Sequence, residues 1–449
     1  MAVREPHYAR PMRDLDTRRS IARPLTYAVI AAVAVVAVRN STVYPAIAGY
    51  DAAEAIDYAR GLVEDGRLPQ ATGSYYTPPG FFAVGGLGIE LGEVLGLDHP
   101  ERVGQVANAL AAVGTALLLL VLVRLLWPGR AMLHLAALVF FVACPVVLKS
   151  AAMFHPEPLS MLLSTAAVVI AARLLSRPDY RLPVAMALGV TLGLAQLVRA
   201  WTIWTVGVVL LVLVVAAVAR RHDRGPLVRA VVVVAALALL VPSPWYVHQL
   251  DRYDSPVFGQ PHPNEPVWSR RPIGFFVGAG LPEVVTEPYR PSFPTNFLPI
   301  AYAETWGDYF GVWRWFPGRD VPSSDDRTQL VAMSLIGLPF TLVALAGWIA
   351  LLAQFVRRPG RDAGRQLVAL LPLAALAGVL YFATAYPTPD GDTVKGSFML
   401  TAVPAWAACF GYAFDGLRGR HPRLSPALIA ALGLLALATV PFLLASADL

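Results

Sequence analysis

Apolar residues run along this chain in long unbroken stretches. They show neither the alternation of a half-buried strand nor the narrow stripe of a soluble helix. A helix crossing about 30 Å of hydrocarbon needs roughly 20 mostly apolar residues. Eleven runs approach that pattern, near 22–39, 103–126, 132–148, 159–175, 183–198, 202–219, 228–246, 329–356, 366–385, 397–415 and 426–446. The stretch 183–219 is too long for one span and is interrupted at Arg199-Ala200-Trp201, which predicts two helices with a tight turn. The expected fold is an all-α integral membrane protein of about 11 transmembrane helices with two long outer loops that contain surface helices.

The polar intervals orient these runs. Arg4, Arg10, Arg13, Arg18, Arg19 and Arg23 precede the first run. Alternate short loops hold Arg124 and Arg130; Arg173, Arg177 and Arg181; Arg220, Arg221, Arg224 and Arg229; Arg357, Arg358, Arg361 and Arg365; and Arg418, Arg420 and Arg423. The short loops between them hold only Lys149, Arg199 and Lys395. Basic residues collect on the cytoplasmic side of membrane proteins, so the expected layout is multi-pass in the cell membrane, with a cytoplasmic tail at 1–24. A single transmembrane domain at 25–449 follows, with outer loops at 40–102 and 247–328. A signal peptide with apolar run 25–38 and cleavage after Ala46-Ile47-Ala48 is the rival reading of the first run; an uncleaved anchor is expected.

Composition agrees. Of 449 residues 56% are hydrophobic and 15% charged, with mean hydropathy +0.56. A soluble chain is about 25% charged, so a water-soluble enzyme is excluded. The net charge of +6 is accounted for by the arginine loops, and no nucleic-acid partner is expected. Cys144 and Cys409 lie in apolar runs and provide neither a disulfide framework nor metal spacing. Acid and amide groups such as Asn108 and Gln196 are rare inside the runs. Buried charge marks most solute paths, so a transporter or flippase for a lipid-linked substrate is the weaker alternative. The nearly all-Arg basic set and Ala/Val/Leu-rich runs suggest a GC-rich bacterial genome.

After the first run, Ala55, Ile56, Ala59, Leu62 and Val63 recur at helical spacing with acids opposite, which predicts an amphipathic surface helix over 52–65. Gly66-Arg67-Leu68-Pro69 stops it, and Tyr75-Tyr76-Thr77-Pro78-Pro79-Gly80-Phe81-Phe82 opens a second helix reaching about Gly96. Asp51, with Glu54 three residues on, has the form of a capping box. A carboxylate at that surface can equally take a proton from a hydroxyl.

A first span followed by an acid, a surface helix and an aromatic-Pro-Pro segment resembles the GT-C superfamily of polyprenyl-phosphate-sugar-dependent glycosyltransferases. The nearest resemblance is to the bacterial branch similar to protein O-mannosyltransferases and lipid A aminoarabinose transferases. Pro244-Trp245-Tyr246-Val247-His248 with Tyr253-Asp254-Ser255-Pro256 resembles that group's exit into a large outer loop. Val394-Lys395-Gly396-Ser397-Phe398-Met399-Leu400 through Pro404 resembles its late basic-aromatic-Leu-Pro run. The resemblance implies a polyprenyl-phosphate-linked sugar donor, a glycan, lipid or protein acceptor, and inverting transfer with Asp51 as base. Protein O-mannosyltransferase activity is an alternative within it. Two residues depart from the pattern: Ala52 stands where a second acid is frequent, and Thr77 where some relatives have a phosphate-contacting Lys.

The resemblance also assigns roles to other residues. Lys395 and Arg199 become candidates for the donor phosphate, against plain snorkelling to the headgroups. His155 and Glu157 become candidates for substrate, against a helix N-terminal acid followed by Pro158. Tyr75 and Tyr76, in the aromatic-Pro-Pro segment, are further substrate candidates. In the large loop Trp306, Tyr309, Phe310 and Trp313 fall at helical spacing, with Trp315 and Phe316 following. They predict a helix dipping into the interface, or rings stacked on sugar. Glu304 and Asp308 flank them as hydrogen-bonding candidates. No metal site is expected, because His155-x-Glu157 is too short a signal, although the sequence does not exclude a divalent ion.

Overall fold

The computed structural model describes residues 22–69, 74–176, 181–257, 264–280, 282–290, 292, 295–311, 313, 324–389 and 391–445. Most of the tail 1–24, together with Trp315, Phe316 and Asp390, lies outside them. The described residues are helical and contain no strand.

In chain order the helices are α1 (Ala22–Val43), α2 (Ala52–Glu64), α3 (Gly80–Val94), α4 (Arg102–Leu126), α5 (Ala131–Ala143), α6 (Pro145–Ala152), α7 (Glu157–Leu175), α8 (Leu182–Val198) and α9 (Ile203–Ala219). They continue with α10 (Arg224–Leu240), α11 (Ser243–Tyr253), α12 (Ile273–Val277), α13 (Glu283–Thr286), α14 (Phe297–Trp306), α15 (Ser324–Arg357), α16 (Ala363–Ala385), α17 (Val403–Arg420) and α18 (Ser425–Thr439).

Among the described residues eight helices are long and apolar enough to cross a membrane, and ten if each of two bent pairs is one span. All eleven apolar runs are helical, but α8, at 17 residues, is short for a full crossing, so the expected count of 11 is not reached. The bends have local causes. Pro145 lacks the N–H that would continue α5 and starts α6 instead, at 55° to it. Pro242 and Pro244 accompany the 46° bend between α10 and α11.

The spans pack α4 against α1 and α7, α8 against α10, and α17 against α5 and α15. Val35, Leu211, Val218 and Leu342 remain exposed on their outer flanks, as lipid-facing residues do. At one end of the bundle the arginine-rich turns converge. Arg220 donates to Leu175 O at 2.9 Å and Gly360 O at 3.3 Å. Arg365 donates to Leu126 O, and Arg130 pairs with Asp415 at 2.5 Å.

The other end is built from the polar segments. Gln105 of α4 donates to Tyr44 O (3.0 Å) and Ala152 O (2.7 Å), and Asn108 to Met153 O (2.9 Å) and His155 O (2.7 Å). These two amides hold the α6–α7 connection against the segment after α1. They explain why amides occur in an otherwise apolar span: each satisfies backbone carbonyls that have no water to bind.

The aromatic stripe of the large loop is not a single interfacial helix. Gly307 ends α14 directly after Trp306, and Trp306, Tyr309, Phe310 and Trp313 are all buried within the protein. The periodicity matched an amphipathic helix, but the rings fill protein interior on both sides of a turn.

Candidate active site

Asp51 follows α1 by a short turn and directly precedes α2. It is one of two non-glycine residues with a left-handed backbone among the described residues, at φ 51° and ψ 26°. An N-cap side chain bonds the helix from an extended backbone, and Asp51 accordingly makes no capping hydrogen bond. The capping-box pattern with Glu54 is not realised. Asp51 stays exposed at the start of α2.

Its neighbour Tyr50 is fixed deep in the protein. The Tyr50 hydroxyl donates to Glu304 Oε2 at 2.5 Å. Glu304 also accepts from the backbone N–H groups of Phe310 (3.3 Å) and Gly396 (3.4 Å). Lys149 Nζ lies 2.5 Å from Asp308 Oδ1 and 3.9 Å from Glu304 Oε1, while Asp308 Oδ2 accepts from Trp313 N at 2.6 Å. Burial, with the adjacent Glu304 carboxylate, pushes the Tyr50 phenol well above the usual tyrosine range, so it remains a donor.

Glu304 and Asp308 are thus fully enclosed and already bonded, and they do not face substrate as the sequence suggested. Trp306 is likewise withdrawn: its ring stacks on Phe340 at 5.6 Å and its indole donates to Thr341 Oγ1 at 2.9 Å. Lys149, expected in a loop, is buried on α6.

Lys395 Nζ stands 4.5 Å from the Tyr50 ring centre and 6.0 Å from that of Phe398, and 3.4 Å from Asp392. The Arg199 guanidinium lies 5.5 Å from the same Phe398 ring. Both cations are therefore within cation–π range of one aromatic side chain. Arg199 occupies the extended break after α8, at the turn predicted there. It pairs with Glu157 Oε1 at 2.9 Å and donates to Thr77 Oγ1 at 3.1 Å, so the side chain at position 77 adjoins this arginine.

Glu157 is the first residue of α7, between Pro156 and Pro158, and is buried between Arg199 and His155, with which it also pairs. The His155 ring lies 6.2 Å from that of Tyr50. Tyr76 closes the circle. Its phenol is raised above the usual range, first by burial, with Arg199 opposing and Asp51, Glu54 and Glu157 adding to the rise. Tyr75 stands farther out, against Tyr253 at 4.7 Å.

Two buried donors beside the cations, the Trp201 indole N–H and the Ser397 hydroxyl, have no acceptor among the described residues. Trp201 packs on Phe398 at 5.2 Å. Sequence reasoning did not select Tyr50, Lys149, Phe398 or these donors, and only the neighbourhood of the two lysines pointed toward them. Among the described residues no group of three or more His, Cys, Asp or Glu is placed to hold a metal ion.

No protein-family model matches the chain, and no curated protein does. Solved structures do. ArnT from Cupriavidus metallidurans bound to undecaprenyl phosphate is similar with TM-score 0.51 and 17% identity, over 91% of this chain and 64% of ArnT. The Archaeoglobus fulgidus oligosaccharyltransferase in the apo form has TM-score 0.56 and 14% identity, over 94% and 56% of the two chains. The archaeal oligosaccharyltransferase AglB from Archaeoglobus fulgidus, in complex with an inhibitory peptide and a dolichol-phosphate, has TM-score 0.54 and 12% identity over 94% and 56%. The chain spans about 56–64% of the length of these proteins. At such identities the likeness is one of architecture, and it extends along nearly the whole of this chain: it shares the membrane fold of these two proteins.

Proposed function

We propose that the chain is a GT-C-type membrane glycosyltransferase. It moves a hexosyl or pentosyl group from a polyprenyl-phosphate carrier to a hydroxyl acceptor on the outer face of the cell membrane, with its N-terminus in the cytoplasm. The observation that carries this reading is the grouping of Arg199, Lys395 and two unsatisfied donors, Trp201 and Ser397, around Phe398. Asp51 stands exposed at the start of α2 with no capping hydrogen bond. Cations and N–H or O–H donors suit a phosphate oxygen, and a free carboxylate suits an attacking hydroxyl. Undecaprenyl phosphate and dolichol-phosphate, bound by the neighbours, are sugar-free lipid phosphates of the class proposed here as carrier.

In this reading the acceptor oxygen attacks the anomeric carbon and its proton passes to Asp51. The bond from that carbon to phosphate oxygen breaks, and the phosphate leaves with the electron pair. Arg199 and Lys395 stabilise its charge, and such fixed electrostatics is the largest contribution in many enzymes. Transfer in a single displacement inverts the anomeric centre.

The test is Asp51→Asn in vesicles supplied with labelled polyprenyl-phosphate sugar. Loss of a general base lowers the rate by about 10²–10⁴-fold; transfer at the wild-type rate would overturn the assignment.

A further inference from the structure

The chain has two lysines, and both stand near one ring. Lys149 Nζ lies 5.9 Å from the centre of the Tyr50 ring and Lys395 Nζ 4.5 Å from it. Their surroundings differ. Lys149 is enclosed and committed to two carboxylates, Asp308 at 2.5 Å and Glu304 at 3.9 Å. Lys395 pairs among the described residues with Asp392 at 3.4 Å, which is half exposed. An ammonium has three N–H groups to donate. An aromatic face attracts a cation through its quadrupole and carries no net charge. Lys395 is therefore held by Tyr50 and keeps its charge for an anion.

The ring in turn is fixed by Glu304. The Tyr50 hydroxyl donates to Glu304 Oε2 at 2.5 Å, and the same oxygen accepts from Gly396 N at 3.4 Å. One carboxylate thus grips both the ring that Lys395 rests on and the backbone beside Lys395. Gly396 is what permits the approach, because a Cβ there would stand 2.6 Å from the Glu304 carbonyl oxygen. Two residues to either side of Lys395, the hydroxyls of Thr393 and Ser397 are buried and have no partner among the described residues. The segment therefore offers a cation and two unused hydroxyls, while its one anchored N–H is taken by Glu304.

We propose that Tyr50 is the positioning residue for Lys395. Its ring holds the ammonium by one face and keeps it from pairing with Glu304, so that the charge serves the phosphate of the lipid carrier. A lysine stem is flexible, and without the ring the ammonium turns to Glu304 and is neutralised there. The inference rests on the reading of Lys395 as a donor-phosphate group and adds the device that keeps it available.

The test measures binding of farnesyl phosphate to the full-length protein in lipid nanodiscs by titration calorimetry. Farnesol and inorganic phosphate are the control probes, and both are expected to bind more weakly. No sugar is transferred, so the readout does not involve Asp51. Lys395→Met is expected to lower the affinity for farnesyl phosphate about tenfold or more, as loss of a charge-assisted hydrogen bond implies. Tyr50→Leu should lower it about as far, and Tyr50→Leu/Glu304→Gln should regain about threefold, because no carboxylate then competes for the ammonium. A trifluorinated phenylalanine at position 50, inserted by amber suppression, keeps the ring and weakens its negative face. It should bind about threefold more weakly than Tyr50→Phe, a difference that a purely structural role of the ring would not produce. This comparison conserves the ring and decides the matter even where Tyr50→Leu fails to fold. Unchanged affinity in Lys395→Met, or inorganic phosphate bound as tightly as farnesyl phosphate, would overturn the donor-phosphate reading and this inference with it. Lowered affinity in Lys395→Met together with equal affinity of the fluorinated and Phe variants would overturn the positioning role alone. So would a double variant that binds no more tightly than Tyr50→Leu.

Discussion

At the scale of single residues, Asp51 combines an uncomfortable backbone with an unused side chain. A left-handed conformation costs a non-glycine residue roughly 1–2 kcal/mol, less for Asp and Asn, which adopt it more readily than other side chains. Asp51→Gly relieves that strain while adding unfolded-state entropy of about 0.5–1 kcal/mol. The expected result is an unfolding temperature equal to wild type or slightly above it, with sugar transfer lost. Thermal unfolding and transfer assays on one detergent preparation check both halves. A stability loss greater than about 1 kcal/mol would mean that the carboxylate holds the fold together, and its role would then be structural. The sequence raised Asp51 as a residue of interest, but the local pattern with Glu54 suggested a cap. The sign of φ, which no spacing rule encodes, sets the cap aside. Arg199 was legible for the opposite reason: a lone arginine interrupting a long apolar stretch has few structural explanations. Tyr50 was not legible, because its partner Glu304 lies 254 residues away and no local periodicity links them.

At the scale of elements, the site depends on connecting segments, namely 44–51, 153–156, 307–311 and 391–395, and on the 3-10 helix Gly396–Ala402. The buried Lys149–Asp308 and Tyr50–Glu304 pairs tie the first and third of these, Gly396 N donates to the same Glu304, and Asn108 holds Met153 and His155. Removing one member of a buried ion pair leaves an uncompensated charge and costs about 3–5 kcal/mol. Lys149→Met is therefore expected to unfold at markedly lower temperature in detergent. Lys149→Met/Asp308→Asn is expected to recover part of the loss, because the remaining amide oxygen can still accept from Trp313 N while buried Glu304 stays without its cation. If the double variant is no more stable than the single one, the pair is not the tie. The same segments show where pattern reading failed. Trp306, Tyr309, Phe310 and Trp313 fit a helical stripe, yet Gly307 ends the helix in the middle of it. The rings then turn into the protein core formed with Phe340 and Phe140 on one side and Tyr44 on the other. An interfacial helix and a buried turn have the same composition, and only long-range packing distinguishes them.

At the scale of the whole molecule, the bundle has two unlike ends. Arginines from distant turns converge through Arg220, Arg365 and Arg130 at one end, and Glu157, Arg199 and Lys395 gather around Phe398 and His155 at the other. The apolar runs were readable because each is long and its boundaries are marked by charge. The span count was not, because helix bends at Pro145 and near Pro242 depend on neighbours. The separation of charge predicts which end faces which compartment, since basic turns stay on the cytoplasmic side. Cysteine labelling tests that directly, because Cys144 and Cys409 are both buried and leave a silent background for a membrane-impermeant maleimide. Asp65→Cys and Asp98→Cys, at exposed positions near α2 and α3, are expected to label in intact cells. Arg221→Cys and Arg423→Cys, exposed in the arginine-rich turns, are expected to label only after permeabilisation. The reverse pattern would place the site in the cytoplasm, where it would face nucleotide-linked sugars as well as lipid-linked ones. A polyprenyl-phosphate donor would then lose the topological part of its support, while the grouping of cations around Phe398 would still call for an anionic ligand.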